Sequence, residues 1–103
     1  MLHLLKIHPV FFAAVCDGSK TFEVRVDDRD YQIGDVLRLN EYDPAATYTG
    51  ADVLRRITYI LRGADTGVGA CGVRAGYVVL ALGSVDPAGP LPPVLAAGEV
   101  RGC

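Results

Sequence analysis

The sequence lacks an excess of positive charge. Its ten lysines and arginines are outnumbered by twelve acidic residues, and the formal net charge is −2. Proteins that bind nucleic acids or membranes without specificity usually carry a large basic excess. The composition therefore argues against that class, and any affinity for an anion must come from a local cluster of cations.

Cysteine is also scarce, and its spacing forms no recognisable pattern. The three cysteines, Cys16, Cys71 and Cys103, are odd in number and widely separated, and no two form a CxxC pair. This usage is typical of a reducing cytosol rather than of a disulfide framework, and it carries no zinc signature. We therefore expect a cytoplasmic protein with non-catalytic cysteines.

No apolar run reaches the length of a membrane span. The apolar start, MLHLLKIHPVFFAAVC, lacks a basic n-region, and Lys6, His8 and Pro9 interrupt it, so it does not match a signal peptide. A chain of 103 residues fits one compact domain. We expect a single domain with no membrane partner.

The amino-terminal segment predicts a strand followed by a short helix. LHLLKI is a short apolar segment with one charged residue. Pro9 suits the first turn of a helix, and Gly18 lies where a helix C-cap belongs. Because Phe11, Phe12 and Val15 recur at helical spacing, we expect all three to face the core.

The next segment, KTFEVRV, alternates between apolar and polar residues, as a strand does. Its two sides consist of Phe22, Val24 and Val26 on the one hand and Thr21, Glu23 and Arg25 on the other. The alternation predicts a half-buried strand whose second face is polar.

Three further strands are predicted in VLRLNEY, RITYIL and YVVLALGSV, the last as a buried strand. We expect Leu37 and Leu39 in the core. Turns are predicted at Asp43-Pro44 and at Thr49-Gly50, and RGADTGVGACGVRAG is typical of a loop. One strand, a short helix and several strands indicate an α+β fold with a small curved sheet or barrel, and a barrel would remove exposed strand edges.

The composition changes at Asp86. The segment DPAGPLPPVLAAGEVRGC holds four prolines and three glycines, so it cannot extend the sheet as an interior strand. We therefore divide the chain into a domain, residues 1–85, and a carboxy-terminal tail, residues 86–103.

One short motif indicates a family. GSKTFEVR, from Gly18 to Arg25, matches the G-x-K-x-x-E-x-R motif of ASCH domains, which belong to the PUA-like superfamily. With DRDYQIGD, ITYIL and GYVVLAL, the chain resembles a small ASCH-related family of unknown function from bacteria and their phages. The resemblance runs from about His3 to Leu82. It implies a PUA-like small β-barrel with one short helix between the first two strands, a cleft beside the motif, and an association with RNA.

The residues of the motif also predict a site. Lys20 and Arg25 supply positive charge for phosphate, and the planar guanidinium adds bidentate contact. Glu23 can accept hydrogen bonds from a base edge. A base can stack on an aromatic ring, for which the candidates are Tyr31, Tyr42 and Tyr48. The full set of expected ligand-binding residues is His8, Lys20, Thr21, Glu23 and Arg25.

Three functions follow, of which we favour the first, binding of RNA or a nucleotide-like ligand. The second is an enzyme with Lys20 and Glu23 as candidate catalytic residues. The resemblance includes hydrolases of modified nucleosides, but these have threonine three residues after the motif lysine, where this chain has Glu23.

A metal-dependent ribonuclease is the better enzymatic alternative. It alone requires a divalent cation, held by Glu23 with one of the three nearby aspartates, Asp27, Asp28 and Asp30; otherwise we expect no metal and no cofactor. The third function is an interaction protein whose PLPPVL segment docks a partner or a second copy as polyproline II.

Overall fold

The computed structural model describes residues 1–67 and 69–86. Its elements in chain order are β1 (Leu2–Ile7), α1 (Pro9–Cys16), β2 (Phe22–Val26), β3 (Val36–Asp43), β4 (Thr47–Arg62) and β5 (Tyr77–Gly83). This arrangement fits the predicted α+β fold with a short helix between the first two strands. The predicted tail lies outside the described residues, apart from Asp86. No helix in the described part is long and apolar enough to cross a membrane.

The strands form one curled sheet, a half-barrel, in the order β1-β3-β4-β5-β2. The first pair, β1 and β3, is parallel, and the other three pairs are antiparallel. The strands next to each other in sequence, β1 and β2, therefore lie at the two ends of the sheet. Within the described ranges strand pairing does not close the barrel, so two strand edges remain.

The core lies on the side of the sheet where α1 packs against β3. Phe12 and Val15 of α1 are buried there, and Leu37 and Leu39 of β3 are fully buried, as predicted. The prediction for Phe11 was wrong, because its side chain is 52 % exposed. An eight-residue helix buries a single stripe, and Phe12 and Val15 occupy it.

The second strand alternates as predicted, but its buried face is the polar one. Glu23 is 4 % exposed, whereas Phe22, Val24 and Val26 are 44 %, 54 % and 53 % exposed. The register explains this inversion, since Glu23 lies opposite Leu80 of β5, which faces the core. The strand therefore turns its charged residues inward and its apolar residues outward.

Of the two turns predicted around the start of β4, the structure contains one. A turn at residues 44–46 joins β3 and β4, as predicted at Asp43-Pro44. Thr49-Gly50 is not a turn, because β4 runs through it for sixteen residues. The pairing slips there, between Asn40 and Tyr42 of β3, and Gly50 takes a φ of +92° that a residue with a side chain rarely adopts.

The last strand, β5, is buried on one face instead of both. Val78 and Leu80 are fully buried in the core, while Tyr77 is exposed. Residues of the opposite face, such as Val79, are half-buried. The continuous apolar run of β5 therefore did not show whether the strand is buried on both faces or on one.

Arginine side chains span the gap between the two free edges. Arg25 Nη2 of β2 donates to the carbonyl oxygen of Lys6 at 2.5 Å, and Arg29 Nη1 donates to the carbonyl oxygen of Leu4 at 3.1 Å. Both carbonyls lie on the edge of β1 that does not face β3. The half-barrel is thus held together at its seam by guanidinium groups, which satisfy backbone acceptors that a neighbouring strand would otherwise pair.

An ionic contact at Asp35 fixes the start of β3. Asp35 Oδ2 lies 2.8 Å from His3 Nε2 and accepts from the backbone N–H of Gln32 at 3.0 Å, and Oδ1 accepts from the amino-terminal nitrogen at 2.9 Å. Burial raises the pKa of the Asp35 carboxyl, but these hydrogen bonds outweigh burial and hold the pKa below its usual value.

We predict that Asp35→Asn lowers the free energy of unfolding at neutral pH by about 1–3 kcal/mol, because hydrogen bonds to a charged acceptor are lost. The lowered folded-state pKa means that this contribution is fully present above the unfolded-state value of about 3.9 and is lost as the pH falls through the folded-state value. Urea unfolding of both proteins between pH 7 and pH 2 measures the difference.

The matched control is Asp28→Asn, which neutralises an aspartate whose side chain is 64 % exposed. We expect this variant to stay within about 0.5 kcal/mol of the parent at every pH. A difference between Asp35→Asn and the parent that stays constant down to pH 2 would contradict the assigned role of the charge.

Candidate functional site

A cleft of about 610 Å³ lies between the free edges of β1 and β2. Its walls are mainly apolar and consist of Ile7, Phe11, Phe22, Val24, Val26 and Tyr77. Its polar lining consists of Lys6, His8, Lys20, Glu23 and Arg25. Four of the five predicted site residues therefore meet in one cleft. The fifth, Thr21, is not among the lining residues, and its carbonyl oxygen accepts from Leu82 N of β5 at 2.9 Å.

The end of α1 delivers Lys20 to the cleft. Gly18 follows the helix with a φ of +84°, so it ends α1 as predicted. Asp17 Oδ1 then accepts from the backbone N–H of Ser19 at 2.7 Å, and Lys20 N donates back to the carbonyl oxygen of Ala14 at 2.9 Å. The chain reverses within three residues, so the lysine lies two positions before Phe22, the first residue of β2.

The deepest polar group in the cleft is the carboxylate of Glu23. Its Oε1 lies 2.5 Å from Lys20 Nζ, and its Oε2 accepts from Arg25 Nε at 2.9 Å. Each oxygen therefore has its own cationic partner, and we call Lys20, Glu23 and Arg25 the ion triad. Two positive charges and one negative charge leave the triad with an excess of one positive charge.

Further contacts hold the two cations of the triad in place. Lys20 Nζ donates to the carbonyl oxygen of Phe22 at 2.7 Å and lies 5.4 Å and 5.0 Å from the ring centres of Phe11 and Phe22. Distances under about 6 Å allow a cation–π attraction. Arg25 bonds to β1 as described above. The cations are thus oriented before any ligand arrives.

His8 occupies two roles at once. It is the N-cap of α1, where its Nδ1 accepts from the backbone N–H of Val10 at 3.2 Å. It also lines the cleft, with its ring edge-on to Phe11 at 6.1 Å. Because Nδ1 is the acceptor in the cap, Nε2 is the nitrogen that remains for a ligand.

The predicted stacking residues have different surroundings. Tyr31 is buried against His3, with ring centres 4.9 Å apart, and burial raises the pKa of its phenol. It offers no surface to a base, so that candidate was wrong. Tyr42 and Tyr48 lie edge to face at 5.0 Å beside Lys6, outside the cleft lining.

Sequence reasoning missed the apolar walls. Phe22, Val24 and Val26 were predicted on the face opposite the site residues, and Tyr77 was assigned only to a strand. The alternation of β2 gives the two faces but not their direction. The alternation would have indicated these walls only if the position of β2 at the edge of the sheet had also been known.

A carboxylate cluster for a metal ion does not occur in the described part of the chain, where no three His, Cys, Asp or Glu side chains come close enough together. Both oxygens of Asp27 bind Arg62, at 2.9 Å and 2.8 Å, and Asp30 accepts from Gln32. None of the aspartates lines the cleft. Among residues 1–67 and 69–86, Glu23 therefore has no second carboxylate beside it.

Two comparisons with known proteins bear on this site. The family described as "Domain of unknown function (DUF3850)" matches residues 2–82, which include the whole motif and nearly the whole sheet. An uncharacterized 12.9 kDa protein in the GpA 3′ region of Escherichia phage P2 is 40 % identical over 57 residues. The match covers 55 % of this chain and 51 % of the phage protein, so it spans about half the length of that relative.

We predict that Glu23→Gln lowers the free energy of unfolding by about 3 kcal/mol, because two partly buried cations lose the charge that compensates them. Urea unfolding at pH 7 measures the change.

Glu41→Gln serves as the matched control. Its carboxylate accepts one hydrogen bond, from Thr49 Oγ1 at 2.6 Å, at an exposed position. We expect this change to cost less than about 1 kcal/mol. Equal losses in the two variants would show that the ion triad has no special weight in the fold.

Proposed function

The chain belongs to the DUF3850 family, and we propose that its cleft binds RNA or a nucleotide-like ligand. The observation that carries the proposal is the ion triad at the buried end of an apolar-walled cleft. A nucleotide combines an anionic phosphate with a flat, mostly apolar base. The cleft offers a match to each part.

The phosphate would meet the cations. Lys20 and Arg25 together carry one charge more than Glu23 balances, and Lys6 and His8 line the same cleft. Guanidinium and ammonium groups are the usual partners of phosphate in proteins. Although the chain has no overall excess of positive charge, the cleft therefore has a local one.

The base would meet the walls. Phe11 and Phe22 present ring surface, and Val24, Val26 and Tyr77 extend the apolar lining. All five side chains are at least 40 % exposed, so they are accessible to a ligand. The cleft volume of about 610 Å³ falls within the range of about 300–1,000 Å³ usual for small-molecule sites.

Stability alone does not account for the ion triad. Apolar residues of similar volume in place of a buried ion pair often leave a protein equally or more stable. Three charged residues at the inward positions of β2 and its approach are therefore better explained by a ligand. In this proposal Glu23 acts as a positioning residue that orients Lys20 and Arg25, since both its oxygens are already bound.

The resemblance of Gly18–Arg25 to the ASCH motif agrees with an RNA ligand, and we extend the proposal to a PUA-like fold. The half-barrel and the short helix between β1 and β2 are compatible with such a fold. The enzymatic alternatives have less support. Of the residues that the structure describes, Glu23 is the one carboxylate in the cleft, and cations occupy both its oxygens. Thr21 lies outside the lining, so we propose no catalytic residue.

We predict that the triple variant Lys20→Met, Glu23→Leu, Arg25→Met stays folded but loses affinity for single-stranded RNA by at least about tenfold. Replacing the whole ion triad avoids leaving a buried charge without a partner. Fluorescence anisotropy with a labelled RNA pool of random sequence measures the affinity, and circular dichroism verifies the fold.

The matched control is Arg74→Ala, which also removes one net positive charge but lies in the loop before β5, outside the cleft. We expect RNA affinity close to that of the parent. For the parent, a ligand held through one or two phosphates gives a slope of about −0.7 to −1.4 in log affinity against log salt. RNA affinity that is unchanged in a folded triple variant would overturn the proposed function.

A further inference from the structure

We propose that the ligand extends from the cleft onto a second subsite formed by Tyr42, Tyr48 and Lys6, so that the chain binds single-stranded RNA of two or more nucleotides. This inference rests on the proposed function of the cleft. It adds the length of the ligand and the place where the second base stacks.

Lys6 connects the two subsites. It lines the cleft, and its Nζ lies 4.5 Å from the ring centre of Tyr42 and 5.8 Å from that of Tyr48. A ligand in the cleft is therefore one lysine side chain away from the two rings. The phosphate that joins two nucleotides would meet this ammonium group.

The tyrosine pair is built as a stacking surface. Tyr42 and Tyr48 face each other across the β3–β4 pairing, with ring centres 5.0 Å apart and ring planes at 73°. This edge-to-face contact fixes the orientation of the rings. Tyr48 is 52 % exposed, so part of its ring stays open to solvent and to a base.

The charge beside the pair places the phosphate next to Lys6. Glu41 and Asp43 adjoin Tyr42 in β3, but because successive side chains of a strand alternate, their carboxylates belong to the other face of the sheet. The charge that lies against the rings is the ammonium group of Lys6. The neutral base fits on the rings, and the phosphate fits beside Lys6, on the side of the cleft.

The test compares two ligand pools at equal total concentration by calorimetry. One contains the four nucleoside 5′-monophosphates, and the other contains the sixteen 5′-phosphorylated dinucleotides. We expect the dinucleotides to bind at least about fivefold more tightly, which is the lower end of what the stacking of one base contributes. Tyr48→Ala should remove this gain without changing mononucleotide affinity, and Tyr48→Phe should retain it.

The outcomes separate the two proposals. Equal affinity for both pools in the parent, a gain that persists in Tyr48→Ala, or a gain lost in Tyr48→Phe would each overturn the second subsite. In those cases the binding of nucleotides by the cleft would stand. If neither pool binds the parent protein, the proposed function fails, and the second subsite fails with it.

Discussion

The buried carboxylate of Glu23 is the group on which the arrangement of the cleft depends. An ionised side chain that is 4 % exposed must have compensating partners, and it binds one cation from each side along the chain. Lys20 comes from the end of α1, and Arg25 comes from β2 and continues to the backbone of β1. One carboxylate thus connects the helix and both ends of the sheet.

This connection solves a problem that the strand order creates. A sheet whose first two strands lie at its opposite edges leaves unpaired backbone groups on both, and such edges invite association with other chains. Arg25 and Arg29 occupy two of the free carbonyls of β1. Side chains, unlike a sixth strand, fill only part of the gap, and the remaining space is the cleft. The opening in which we propose that a ligand binds is therefore a consequence of closing the half-barrel with arginines.

The sequence predicted the helix and the strands better than it predicted which side chains face the core. The helix between Pro9 and Gly18 followed from residues whose backbone preferences act locally, and the period of β2 followed from its alternation. Which face of β2 is buried depends on its partner β5, some fifty residues later in the chain, and on the lack of a partner at its other edge. For the same reason the motif residues could be named, whereas Phe22, Val24 and Val26 could not be recognised as cleft walls. Tyr31 shows the converse error, because a tyrosine in a polar connection has no local signal of burial against His3.

The ion triad also limits how a ligand can bind. A phosphate that pulled Lys20 and Arg25 away from Glu23 would leave a buried carboxylate uncompensated and would break the bond from Arg25 to β1, so the fold would oppose binding. A phosphate that shares the remaining N–H donors of the two cations avoids both costs, because an ammonium has three donors and a guanidinium has five. Lys20 already uses donors on Glu23 and the carbonyl of Phe22, and Arg25 uses donors on Glu23 and the carbonyl of Lys6. About half of these donors remain, which in the proposed function suffices for one phosphate. Any further phosphate of a longer ligand must find its cation elsewhere along the cleft, and Lys6, at the rim on β1, is the cation placed to receive it.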